Sequence, residues 1–215
     1  MILFFLSDLG TASMFFPFFV LLYILFKKIE IDKEIRLFVA FLFFASFTQV
    51  FASTIMRLGY YNLWFHHIYA PIEFGLLSFL LIQWESKYKS LYTKFAIIFI
   101  LFRLIEMFFL QEWNKFNTTS MTIQSLLLFA LAARIFYLLS IFSIVPFYRD
   151  FRFFITFSIL FFNATISVGF IFMNFYESYI HYFIYQISNI TSNMIFTIAM
   201  ICYYRQKQRI LKAFY

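Results

Sequence analysis

The chain has 215 residues, of which 64% are hydrophobic and only 13% charged, with 38 phenylalanines and a net charge of +7. Soluble domains run near half apolar and a quarter charged, so a soluble fold of this length has nowhere to hide this much apolar surface. The basic residues fall in loops and at the C-terminal end, which fits membrane orientation and argues against nucleic acid as the partner.

Seven apolar segments follow one another, at about 6–26, 37–58, 62–84, 94–110, 121–142, 153–173 and 179–204. Each is long enough for a membrane helix or close to it. The first ends at Lys27-Lys28 and has neither a basic leader nor a small-residue cleavage site, so it reads as a retained helix rather than a signal peptide. A charged loop leads to the second segment, and Gly59-Tyr60-Tyr61 forms a tight turn into the third. Pro146, Arg149, Asp150 and Arg152 separate the fifth from the sixth. Cys202 is the single cysteine, which excludes an internal disulfide and a cysteine-based metal site. The expected fold is an all-α membrane protein: one seven-transmembrane-helix bundle over 1–204 and a basic cytoplasmic tail over 205–215.

Loops 27–36, 85–94 and 143–152, with the tail, hold thirteen of the 17 Lys and Arg residues, and the opposite side holds only Arg57 and Lys115. The positive-inside rule then places the N-terminus outside and the C-terminus in the cytoplasm. Trp64 and Trp113 at one interface and Trp84, Tyr203 and Tyr204 at the other fit aromatic belts. The tail interleaves Ile210, Leu211 and Phe214 with Arg205, Lys207, Arg209 and Lys212. It is expected to lie on anionic lipid headgroups or to dock a protein partner.

The third segment, NLWFHHIYAPIEFGLLSFLLIQW, carries Glu73 at its centre. At ~1.5 Å rise per residue, Glu73 lies ~16 Å into a hydrocarbon core ~30 Å thick, where an ionisable group needs a partner, water or a proton. Asn62, His66, Tyr69 and Glu73 share one helical face. Tyr182, Gln186, Asn189, Asn193 and Thr197 do so in the seventh segment, and Ser46, Gln49, Ser53 and Arg57 in the second. Thr156, Asn163 and Ser167 line the sixth, Arg103 and Glu106 the fourth, and Gln124 and Arg134 the fifth. Six helices therefore turn polar stripes toward a shared interior, since lipid offers them no hydrogen bonds.

Depth sorts these groups. Glu73, Arg103, Gln49, Asn163 and Asn189 cluster ~11–17 Å down by rise per residue. Glu73 and Arg103, on consecutive antiparallel helices, are the expected ion pair, with Glu106 and Arg134 balancing the remaining charge. Arg134 lies deeper and can snorkel toward the cytoplasmic side. His66 is expected to face the cavity, and His67 a neighbouring helix or the headgroups. Pro71 frees the carbonyl of His67 and loosens the third helix beside Glu73. A weak metal set of His66, His181 and Glu106 near the outer surface is conceivable chemically, and no cofactor-binding motif is present.

The run His67-Ile-Tyr-Ala-Pro-Ile-Glu73, preceded by Asn62-Leu-Trp, resembles a group of uncharacterised bacterial seven-helix membrane proteins with an N…H-x-Y-x-x-x-E pattern opening the third helix. The resemblance implies a bacterial inner-membrane location and no particular activity. In outline the layout also resembles the seven-helix membrane regions of bacterial sensor proteins. It departs from microbial rhodopsins, since the seventh segment has no lysine, and from ceramidase-type hydrolases, since Tyr185 stands where a second histidine would follow His181. The first functional expectation is a receptor-like or accessory subunit with an outward-facing polar cavity, acting through a partner. A small-solute or proton transporter using Glu73 is the alternative, and a metal-dependent membrane hydrolase a third.

Overall fold

All seven apolar segments lie on helices, and no strand occurs among the residues described by the computed structural model, 2–59, 63–110, 118–143, 145–173 and 178–213. The helices are α1 (Ile2–Ser13), α2 (Phe15–Phe26), α3 (Lys33–Arg57), α4 (Leu63–Ile82), α5 (Lys89–Ile105), α6 (Thr118–Phe142), α7 (Phe151–Met173) and α8 (Ser178–Ala213). A π-helical turn, Glu106–Leu110, continues α5, and a 3₁₀ turn, Phe147–Arg149, precedes α7.

The segment expected as one helix over 6–26 is two, α1 and α2, joined at Met14. Pro17 explains the break: it has no N–H for the carbonyl of Ser13, and its ring crowds that carbonyl. Met14 keeps helical dihedrals (φ −63°, ψ −25°), so the interruption is local. At the other end of α2, Lys28 takes a positive φ of 55°. The N–H of Lys28 bonds the Leu25 carbonyl at 2.8 Å and that of Ile29 bonds Ile24 at 3.3 Å. This is a Schellman cap with its usual apolar contact, as Ile24 and Ile29 are both buried.

The helices close into a ring. The α1–α2 pair packs on α8, α8 on α7, α7 on α6, α6 on α4, α4 on α3, and α3 on α2. α5 packs chiefly against α4. One half of the ring is filled with apolar side chains: Leu21, Ile24, Phe38, Leu80, Ile135 and Met200 are among those almost fully buried. That half carries the basic loops. Toward the N-terminus of α1 the contacts turn polar, with Gly10, Ser13, Gln124, Gln186 and Asn189 all buried.

Among the described residues four stretches are long and apolar enough to cross a membrane: Asp8–Phe26, Lys33–Ile55, Thr118–Phe142 and Phe151–Phe170; His67–Ile82 is a shorter apolar helix. α8 is not among them, and its polar residues point inward. Phe183, Ile187, Met194 and Ile198 are exposed along its other face, whereas Gln186, Asn189 and Asn193 are buried. Residues 205–213, expected as a tail, prolong α8 as helix. Lys207 there is tied to Asp32 at 2.6 Å.

Candidate functional site

Glu73 projects from α4 and accepts a hydrogen bond from the Tyr69 hydroxyl at 3.0 Å, one turn back on the same helix. The Tyr69 ring is held in turn by Phe44 of α3, stacked at 5.6 Å with an interplanar angle of 8°. α4 runs through Pro71, and the carbonyl of Ala70 accepts a hydrogen bond from Gln124 Nε2 of α6 at 3.1 Å. A carboxylate and a phenol are thereby fixed on the inner face of α4.

That face borders an interior cavity of about 40 Å³. A buried water needs ~10–15 Å³ by the same measure, so the space takes about three waters. α7 contributes Asn163, and α8 contributes Asn189, Ser192 and Asn193. Among the described lining residues Glu73 is the single charged one, and none is basic. Its floor, toward the basic loops, is aromatic: Phe41 and Phe196 lie at 5.9 Å and Phe38 packs on Phe196 at 5.0 Å. On the N-terminal side of α1 two contacts lie beyond its lining. Gln49 Nε2 donates to Thr11 Oγ1 at 3.1 Å, and Gln186 lies against Gly10, where a Cβ would come within 2.2 Å of its Oε1.

Hydrogen bonds orient the amides. Asn163 Nδ2 donates to the Ile159 carbonyl at 2.8 Å. Asn193 Nδ2 donates to Ser13 Oγ at 3.0 Å and to Asn189 Oδ1 at 3.2 Å. Ser13 spends its own hydrogen on the Gly10 carbonyl at 2.7 Å, so its oxygen can only accept from Asn193.

Of the residues singled out from sequence, Glu73, Tyr69, Asn163, Asn189 and Asn193 meet at this cavity, and Gln49 and Gln186 lie one turn above it. Arg103 does not join them. Its guanidinium pairs with Glu106, three residues on, and Ser120 of α6 donates to the other oxygen of Glu106. The expected Glu73–Arg103 pair is therefore replaced by a Glu73–Tyr69 contact and a separate Arg103–Glu106–Ser120 cluster, with Glu106 opening the π-helical turn. The short i,i+3 reach within one element wins over the longer reach between helices.

Arg134 does not serve Glu106 either. It extends to Glu85, beyond the end of α4, at 3.1 Å, the direction its long stem allows. The side chains of His66 and His181 lie outside the described residues, so the expected facing of His66 and the weak metal set do too; Glu106 is engaged as above. His67 is buried and is not part of the cavity lining. Sequence reasoning missed α1: Gly10, Thr11 and Ser13 meet Gln186, Gln49 and Asn193 beside the cavity. The signal was the small-residue run Gly10-Thr-Ala-Ser13 in an apolar segment, a pattern that permits close helix approach.

Comparison with protein-family models, with curated proteins and with solved structures finds no match for this chain.

Proposed function

We propose that the chain is a multi-pass membrane protein of seven spans, N-terminus outside and C-terminus in the cytoplasm, that binds and exchanges a proton or small cation at Glu73. The observation that carries this reading is one carboxylate on a small interior cavity with no basic side chain among its described lining. A carboxylate kept from bulk water is neutralised by a proton or a bound cation when no counter-charge is at hand.

Other features support the setting. Four helices are long and apolar enough to span, and the exposed faces of α5 and α8 are rich in Phe, Ile and Leu. The basic loops gather at one end. A bacterial inner membrane is the location implied by the resemblance in the third segment, and the basic end of α8 is placed to meet anionic headgroups. A receptor-like cavity for an organic ligand of ordinary size needs about 300–1,000 Å³, and the space at Glu73 is far smaller. That weighs against the receptor-like reading; an accessory role through a protein partner stays compatible with exchange at Glu73.

The test is flux in proteoliposomes. With a pH-sensitive dye inside and an imposed potential, the wild-type protein is expected to move protons or cations. Glu73→Gln should lower the rate at least about tenfold, and an unchanged rate would remove Glu73 from the reading.

A further inference from the structure

We infer that the Glu73 cavity is a binding site for a sodium-sized monovalent cation that shares Glu73 with protons; this rests on the exchange reading above and names its ligand. Charge comes first. One carboxylate and no basic lining residue among those described balance a single positive charge, whereas a divalent ion would leave an uncompensated charge in the interior.

The donor set comes second. The Tyr69 hydroxyl occupies Glu73 Oε1 and leaves Oε2 open. Asn163 spends an N–H on the Ile159 carbonyl, and Asn193 spends both of its own on Ser13 and Asn189. Their Oδ1 atoms are left as acceptors. The amide orientation of Asn193 follows from Ser13, whose hydroxyl hydrogen already goes to Gly10. Ser192 Oγ is buried without a hydrogen-bond partner among the described residues. A carboxylate, two amide carbonyls and a hydroxyl are hard oxygen ligands, the kind that suit alkali and alkaline-earth cations rather than transition metals.

Size comes third. A cavity of about 40 Å³ takes about three waters, or one partly dehydrated small ion with one or two waters. Organic cations do not fit.

Among the described residues the remaining titratable neighbours are few. Besides Glu73 the cavity is bordered by Tyr69 of α4 and Tyr185 of α8. α3 and α7 bring neutral side chains there, α6 reaches α4 through the neutral Gln124, and Arg103 of α5 is taken up by Glu106. Protons and the cation therefore compete for one carboxylate.

The experiment is thermal unfolding of the purified full chain at pH 8 in sodium, potassium or choline chloride at equal ionic strength, with radioactive sodium binding as a second measurement. Sodium is expected to raise Tm saturably and choline not at all. The half-saturating sodium concentration should rise as pH is lowered, rise at least about tenfold in Asn193→Ala, and lose all meaning in Glu73→Gln, which no longer responds. Equal Tm in all three salts with no sodium bound would overturn the site, as would a full sodium response in Glu73→Gln or a potassium response equal to that of sodium. The wild-type salt comparison decides the matter even if a variant fails to fold. Sodium indifference together with Glu73-dependent proton flux would overturn this inference and leave the exchange reading standing. Sodium binding with Glu73-independent flux would do the reverse.

Discussion

The Tyr69 hydroxyl donates to Glu73 at 3.0 Å, while Arg103, at a similar depth along the next helix, is held by Glu106. Two opposite charges that could cancel each other are kept apart, each satisfied within its own helix. Glu73 is left facing the cavity, which makes the two clusters separable by mutation.

Arg103→Ala removes the guanidinium that pairs with buried Glu106, and breaking a buried ion pair costs about 3–5 kcal/mol. Replacing both partners by neutral residues of similar volume, Arg103→Met with Glu106→Gln, should recover most of that loss. The double variant is also expected to keep Glu73-dependent flux, because neither residue lines the cavity. Denaturation in mixed micelles measures the first effect and the proteoliposome assay the second. Loss of flux in a stable double variant would show that the clusters act together.

Gly10→Ala places a methyl group where Gln186 Oε1 already stands, 2.2 Å from the ideal Cβ position. Overpacking of a fitted contact costs about 1–3 kcal/mol, so Tm should fall. Gln186→Ala in the same chain removes the clash and should restore much of it. A neutral Gly10→Ala would mean that the Gln186 amide, the far end of a flexible side chain, turns aside.

Glu85, just past α4, gives the chain an acid-sensitive joint. Burial pushes its carboxyl up, but the N–H groups of Lys87 and Tyr88 and the Arg134 guanidinium outweigh it and hold the group below its usual 4.5. The folded form thus binds fewer protons than the unfolded chain in this range. The stabilisation is fully present above about pH 4.5 and is lost as pH falls through the lower folded value. Glu85→Gln should lower Tm at pH 7 and flatten its fall toward pH 3. An acid limb as steep as that of the wild type would assign the effect to other carboxylates.

The all-helical class and the rough positions of the helices were legible because the apolar segments are long and the loops between them short and charged. The stripe of α4 was legible too, since Tyr69 and Glu73 stand one turn apart and share a face whatever surrounds them. The partner of Arg103 was not. Depth alone ranks Glu73 and Glu106 nearly equally, and the choice is made by side-chain reach within one helix. The break at Met14 was foreshadowed by Pro17, and the contacts of Gly10 and Ser13 with α8 by a run of small residues. Neither had a charge to attract notice. The size of the cavity depends on how the aromatic rings of Phe38, Phe41 and Phe196 interlock, which no pattern in the sequence encodes.

The inward polarity of α8 bears on how the molecule is assembled. Gln186, Asn189, Ser192 and Asn193 are poorly suited to stand alone in lipid, and the surfaces that receive them, on α1, α2 and α7, leave the ribosome earlier. Docking of α8 is therefore the step that closes the ring. Until it happens, Ser13 lacks its amide donor and Gly10 lacks its contact with Gln186. A nascent chain halted before Ser178 would leave that seam open, so completion of the bundle rests on one helix.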